Sequence, residues 1–140
     1  MSDEAVRRLT DIEEIRQLKA RYWRCLDTKD WSGFRAVFAD DVHFEADTYS
    51  GDGADRIVSD ISKNLDGAVT VHQGHTAEIT ITGPDTASGI WSFSDWVSHA
   101  PAAGAQDFWG HGHYCEEYMR AGDGWRIRAS KVTRLRVDPA

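Results

Sequence analysis

Residues 69–82 read VTVHQGHTAEITIT, and here the chain exchanges helical spacing for alternation. At period two, Val71, His75, Ala77, Ile79 and Ile81 share one face, while His72 falls with Thr76, Glu78 and Thr80. Gly74 interrupts the run, and a glycine inside a strand marks a bulge that can reverse the parity upstream, so alternation alone does not choose between His72 and His75 as the inward histidine. Three more strand-length segments follow: TASGIWSFSDWVSH (86–99), DFWGHGHYCEEYMR (107–120) and WRIRASKVTRLRV (125–137). Gly83-Pro84-Asp85, the loose APAAGAQ, and Ala121-Gly122-Asp123-Gly124 separate them. Upstream, Ile12, Ile15, Leu18, Tyr22, Cys25 and Leu26 recur at helical spacing and predict a long first helix from Thr10 to about Leu26. Asp30 can cap a second helix, WSGFRAVFA; VHFEA then reads as a strand and GADRIVSDISKNL as a third helix closed by Asp66-Gly67. Helices first and consecutive strands afterwards predict an α+β domain over residues 1–140, with three N-terminal helices packed on one face of a mostly antiparallel sheet.

Composition narrows the function classes. The net charge of -7 repels phosphate backbones, and the sixteen Lys and Arg form no basic run, which argues against a nucleic-acid partner. Apolar residues make up 41% of the chain and there are six Trp, enough for an aromatic core and a greasy pocket. Cys25 and Cys115 lack CxxC or zinc-type spacing, so reduced thiols are expected. The charged N-terminus and the absence of a long apolar stretch predict a cytoplasmic protein with no membrane partner.

Six residues stand out chemically. Asp27 lies in the last turn of the first helix, where the macrodipole costs a carboxylate about 0.3–1 kcal/mol. It either organises the turn into the next helix or orients a buried histidine as the acid of a dyad. Tyr22 shares the apolar stripe, as packing or as a hydroxyl donor. Asp95 interrupts GIWSFSDWV on the face of Trp91, Phe93 and Val97, where a carboxylate is costly unless paired or unless the strand has already reached solvent. Arg134 could answer it with a charged pair, or lie solvated at the end of its strand. His72 and His75 complete the set. A metal reading of HQGH with His111 and His113 lacks the helical HExxH context and a carboxylate geometry, so neither metal nor organic cofactor is expected.

The segments IEEIRQLKARYWRCLDTKDW, HQGHTAEITI, TASGIWSFSDW and the closing TRL resemble those of the SnoaL-like, nuclear transport factor 2-like superfamily, in its branch of bile acid 7α-dehydratase and scytalone dehydratase type enzymes. The resemblance runs from about Asp11 to Leu135 and implies a cone-shaped, cystatin-like α+β barrel. It implies Tyr22 as catalytic tyrosine, Asp27 as dyad aspartate, His72 as general base, Asp95 as a pocket aspartate that could assist a departing hydroxyl as an acid, and Arg134 as the catalytic-site arginine that keeps the acids in register. It thereby favours His72 over His75 and a bend at Gly74. The activity it implies is a dehydratase acting without cofactor on a small hydrophobic cyclic substrate, steroid-, polyketide- or aromatic-like. Trp91, Phe93, Trp96, Phe108 and Trp109 are the expected apolar wall. A homo-oligomer, dimer or trimer, is also expected, with the strand face of Tyr114, Glu116 and Tyr118 as a surface for the partner. Two rival readings use the same fold: a non-catalytic binding or assembly module, and an isomerase or epoxide hydrolase. Open access from solvent to both His72 and Tyr22 would favour an enzyme; a core filled with side chains would favour the module.

Overall fold

The computed structural model describes all 140 residues. Helix α1 spans Asp3–Thr28, seven residues longer at its start than the apolar spacing predicts. Ser2 accepts a hydrogen bond from the Ala5 N–H, and Asp3 and Glu4 lie in the first turn, where acidic side chains suit the helix dipole. These polar signals start the helix before its apolar stripe begins. Lys29 adopts the left-handed conformation and stops it. Asp30 then caps α2 (Trp31–Ala36) by accepting from the Gly33 N–H at 3.0 Å, as its position predicts. Val37 ends α2, so Phe38 begins strand β1 (Phe38–Ala46) instead of closing the helix.

A short strand β2 (Tyr49–Asp52), absent from the sequence reading, forms a hairpin with β1. Helix α3 (Ala54–Asn64) follows, and then the long strands β3 (Val69–Ile81), β4 (Thr86–Ser98), β5 (Phe108–Ala121) and β6 (Gly124–Pro139), with one turn of 3₁₀ helix at Pro101–Ala103. The sheet order is β2-β1-β6-β5-β4-β3, antiparallel except for the β1–β6 pair. Register shifts in β3 between Gly74 and Ala77, and between β5 and β6 at His111/Gly112 and Glu117/Tyr118, bend the sheet around the helices. The result is the expected cone of three helices on a curved sheet.

The inner face carries a core built around Tyr22, Trp23, Phe34, Phe93, Tyr114 and Trp91, whose rings meet mostly edge to face at 4.7–6.0 Å. Tyr114, Glu116 and Tyr118 lie in this interior beneath α1 and are buried, so they are not the partner surface expected of them. The outer face instead exposes Trp96 (42%) and Trp109 (47%), packed on each other at 4.9 Å, with Val71 beside them. No helix is long and apolar enough to cross a membrane.

Candidate active site

His72 faces inward. In β3, Thr70 and His72 point to the interior, and after the shift at residues 75–76 so do Ala77, Ile79 and Ile81. The uncorrected alternation therefore fails: His75 is exposed and hydrogen-bonds Ser94 at 3.1 Å. Residue 74 has to be glycine, because the Trp23 indole lies so close to it that a Cβ there would overlap the ring, and the register shift follows directly after it.

The end of α1 delivers Asp27 to this strand. Its Oδ1 accepts from His72 Nδ1 at 2.7 Å and from Thr70 Oγ1 at 2.9 Å, and its Oδ2 accepts from the His72 backbone N–H at 2.8 Å. A hydrogen bond to a charged group contributes about 1.5–3 kcal/mol, so three of them outweigh the dipole cost of a carboxylate at a helix C-terminus. The bond at Nδ1 also decides the tautomer. With the hydrogen on Nδ1, Nε2 is left as the free acceptor, the form a general base needs.

Asp95 is directly opposite His72 in the β3–β4 ladder. Because the His72 N–H turns away from β4 toward Asp27, the two residues form a non-hydrogen-bonded pair, the kind that brings side chains closest. Nε2 of His72 and Oδ2 of Asp95 are 3.7 Å apart. Arg134, from β6, reaches Asp95 with a two-pronged guanidinium: Nη1 donates to Oδ1 at 2.6 Å and Nη2 to Oδ2 at 3.0 Å. The fork crosses β5 above Gly110, and a Cβ at that position would collide with both partners. Asp47 accepts from Arg134 Nε at 3.4 Å. Burial works against the Arg134 charge, but Asp95 and Asp47 carry its pKa above the ordinary arginine value. With both oxygens engaged by Arg134, Asp95 serves as a charge partner, and its reading as an acid for a leaving group does not fit.

These groups open on a cavity of about 500 Å³. Tyr22, His72, Asp95, Tyr114 and Arg134 are among its polar groups, and Leu26, Phe44, Val97, Phe108 and Val132 form part of its apolar wall. The volume is that of an ordinary small-molecule site. Burial pushes the Tyr22 phenol well above the usual tyrosine value, with Tyr114 next to it adding to the shift. Burial likewise raises Tyr114, partly offset by a hydrogen bond from Tyr22 to its ionised form. Both phenols are therefore protonated donors at any working pH.

Of the residues the resemblance implies, Tyr22, His72, Asp95 and Arg134 line one cavity, and Asp27 stands behind His72, bonded to its ring. The expected wall is corrected: of its five aromatics only Phe108 lines the cavity. Trp91 and Phe93 are core, and Trp96 and Trp109 fall on the outer face because each alternates with an inward neighbour, Asp95 or Val97 and Phe108 or Gly110. Sequence reasoning missed Thr70, which steadies Asp27, and Tyr114, whose period-two spacing with Glu116 and Tyr118 was the available signal.

The comparisons with known proteins agree with this architecture. The model of the SnoaL-like domain matches residues 7–131. The chain is 24% identical over 133 residues to "Probable cyclase FGR4" of Gibberella zeae, covering 86% of this chain and 89% of that protein. A crystal structure of hexachlorocyclohexane dehydrochlorinase (LinA) Type2 superposes with a TM-score of 0.86 at 16% identity, covering 97% of this chain and 93% of the other. A scytalone dehydratase-like protein from Novosphingobium aromaticivorans gives 0.82 at 14% identity, with 95% and 89% covered. Likenesses at such identities establish the nuclear transport factor 2-like, cystatin-like fold. With the family model spanning most of its length, and with relatives that include a cyclase and a dehydrochlorinase, the chain belongs to the SnoaL-like family, whose members are typically small-molecule-converting enzymes.

Proposed function

We propose that this protein is a lyase that removes water from a small hydrophobic cyclic substrate using its own side chains. The observation that carries this reading is the Asp27–His72 contact at 2.7 Å, which leaves His72 Nε2 as acceptor at the wall of a cavity shared with Tyr22. A substrate with a ring carbonyl and a hydroxyl on the β carbon fits that arrangement. His72 takes the proton from the intervening carbon, and the electrons move onto the carbonyl oxygen, where Tyr22 donates a hydrogen bond to the growing charge. The oxyanion then collapses and expels the hydroxyl, which leaves as water with the proton that His72 carries. Asp27 stabilises the imidazolium throughout, and Asp95 adds a second negative group 3.7 Å from Nε2. Arg134 holds Asp95 in place and presents its guanidinium toward the departing oxygen.

The open cavity reaching both His72 and Tyr22 supports an enzyme over a filled assembly module. An isomerase would use the same base and donor, and differs in keeping the substrate's oxygen. A panel of cyclic β-hydroxyketones followed by mass spectrometry separates the two: loss of one water supports the dehydratase, and a product of unchanged mass supports the isomerase. His72→Ala should abolish turnover of any accepted substrate, and unchanged turnover refutes the assignment of the base. The two unpaired cysteines suit a reducing compartment and support a cytoplasmic location. The exposed Trp96–Trp109 face supports a homo-oligomer built through the outside of the sheet.

A further inference from the structure

Lys19 is a charged residue on the apolar stripe of α1, fully buried between Ile15 and Tyr22. Its Nζ lies 3.8 Å from the Tyr22 ring centroid, 4.2 Å from that of Tyr114 and 4.3 Å from that of Trp23. On its other side Nζ donates to Glu116 at 3.1 Å. Glu116, also fully buried, accepts from Tyr118 Oη at 2.8 Å and Ser130 Oγ at 2.7 Å, and Trp91 Nε1 donates to Tyr118 Oη at 3.0 Å. Every polar atom of the network is thus engaged. Yet a satisfied ion pair in a core is weak support for stability, since apolar residues of similar volume commonly do as well or better. Stability does not account for placing one here.

Its placement against the cavity does. Tyr22 and Tyr114 both line the cavity, whereas Lys19 does not reach it and meets the site only through their rings. We infer that the Lys19–Glu116 pair is a positioning and polarising device for a two-phenol oxyanion donor formed by Tyr22 and Tyr114. When a phenol donates to an oxygen acquiring negative charge, electron density moves onto its ring. An ammonium on the ring face is attracted to that density, and more strongly in a dry core than in water. The interaction grows as the oxyanion forms, which is the condition for an effect on rate. Glu116 keeps the ammonium charged and aimed; burial pulls Lys19 down from 10.5 to about 8, and the carboxylate opposes that fall. The inference rests on the elimination reading above and adds Tyr114 as a second donor with Lys19 and Glu116 behind it.

The test uses 4-nitrophenolate, a planar ring carrying an oxyanion, and nitrobenzene as its neutral match, both titrated against the full-length protein. Tyr22→Phe and Tyr114→Phe should each weaken phenolate binding about tenfold and leave nitrobenzene unchanged. The double variant Lys19→Met/Glu116→Gln, which removes the pair without stranding a charge, should weaken phenolate about tenfold with nitrobenzene again unchanged. Wild-type phenolate affinity in the double variant, alongside losses in both phenylalanine variants, overturns the role of the pair and leaves the oxyanion site standing. Wild-type affinity in both phenylalanine variants removes the oxyanion site and with it the elimination reading. Should the double variant not fold, Glu116→Gln serves instead. The titratable groups facing the ammonium are Glu116, Tyr22 and Tyr114, with the Trp23 ring beside them, and Tyr118 and Ser130 bond to the far side of Glu116. Without Glu116 the ammonium loses its proton at lower pH, so phenolate affinity should decline at lower pH than in the wild type. An unchanged pH profile overturns the inference.

Discussion

Replacing Asp27 by Asn probes the dyad with almost no change in shape. The carboxylate meets three donors, the His72 N–H, His72 Nδ1–H and Thr70 Oγ1–H, and accepts from all of them. An amide cannot. If its oxygen faces Nδ1 and Thr70, its NH₂ confronts the His72 backbone N–H, donor against donor. If it is turned, its NH₂ faces Nδ1, which must then accept, and the ring hydrogen moves to Nε2, where a base needs a lone pair. Losing one charge-assisted bond costs about 1.5–3 kcal/mol, while relief of the unfavourable helix-end charge returns about 0.3–1 kcal/mol. The net destabilisation is about 1–2 kcal/mol, a fall in Tm of roughly 3–8 °C for a chain of this size. Turnover should fall by about 10²–10⁴, the range spanned by loss of a general base. Nitrogen NMR of the histidines reads the tautomer directly and requires no substrate: the wild type should show His72 protonated at Nδ1, and the variant should lose that signature. A folded Asp27→Asn protein with the wild-type His72 signature and turnover within threefold would refute the dyad.

Four further outcomes follow from the geometry. Gly110→Ala should separate Asp95 from Arg134, costing stability in thermal melts and activity together, because the new methyl group occupies the path of the fork. Arg134→Ala leaves a buried carboxylate without its partner and should cost about 3–5 kcal/mol by denaturant titration; Arg134→Ala/Asp95→Asn should recover part of that stability but no activity. Lys19 binds its proton more weakly in the folded chain than in the unfolded one. The folded state therefore carries a constant deficit below about pH 8 and gains stability as pH rises from about 8 to 10.5, a rise that Lys19→Met/Glu116→Gln should lack in chemical denaturation across that window. Trp96→Glu should shift the sedimentation coefficient of the proposed oligomer to that of a monomer, and an unchanged value would place the interface elsewhere.

Much of the fold was legible because its signals are local. The α1 stripe, the Asp30 cap and the four long strands follow from spacing and turn residues that operate within a few positions. Strand β2 escaped because YSGD is too short for alternation to register, and the early start of α1 escaped because its opening turns bury almost nothing. For the site, spacing singled out Asp27 and Asp95 as costly placements, and the structure supplies the compensating bonds. Parity could not place His72, since alternation does not register the bulge beyond Gly74, and the ring that requires a glycine there, Trp23, lies 51 positions away. The outward Trp96 and Trp109 were misassigned because an aromatic signal carries no side. Lys19 was legible in principle as the one cation within an apolar stripe, but its meaning depends on Glu116, 97 residues downstream.

Strand β3 is the last in the sheet, with β4 on one side and no strand on the other. A free sheet margin exposes unpaired amide groups that invite pairing with other chains. At His72 that outward amide is taken by Asp27, so the carboxylate that bonds the imidazole also removes this donor from the sheet margin. The proposed dyad and the protection of this edge amide from intermolecular strand pairing thus draw on one side chain, so a variant at Asp27 should affect both.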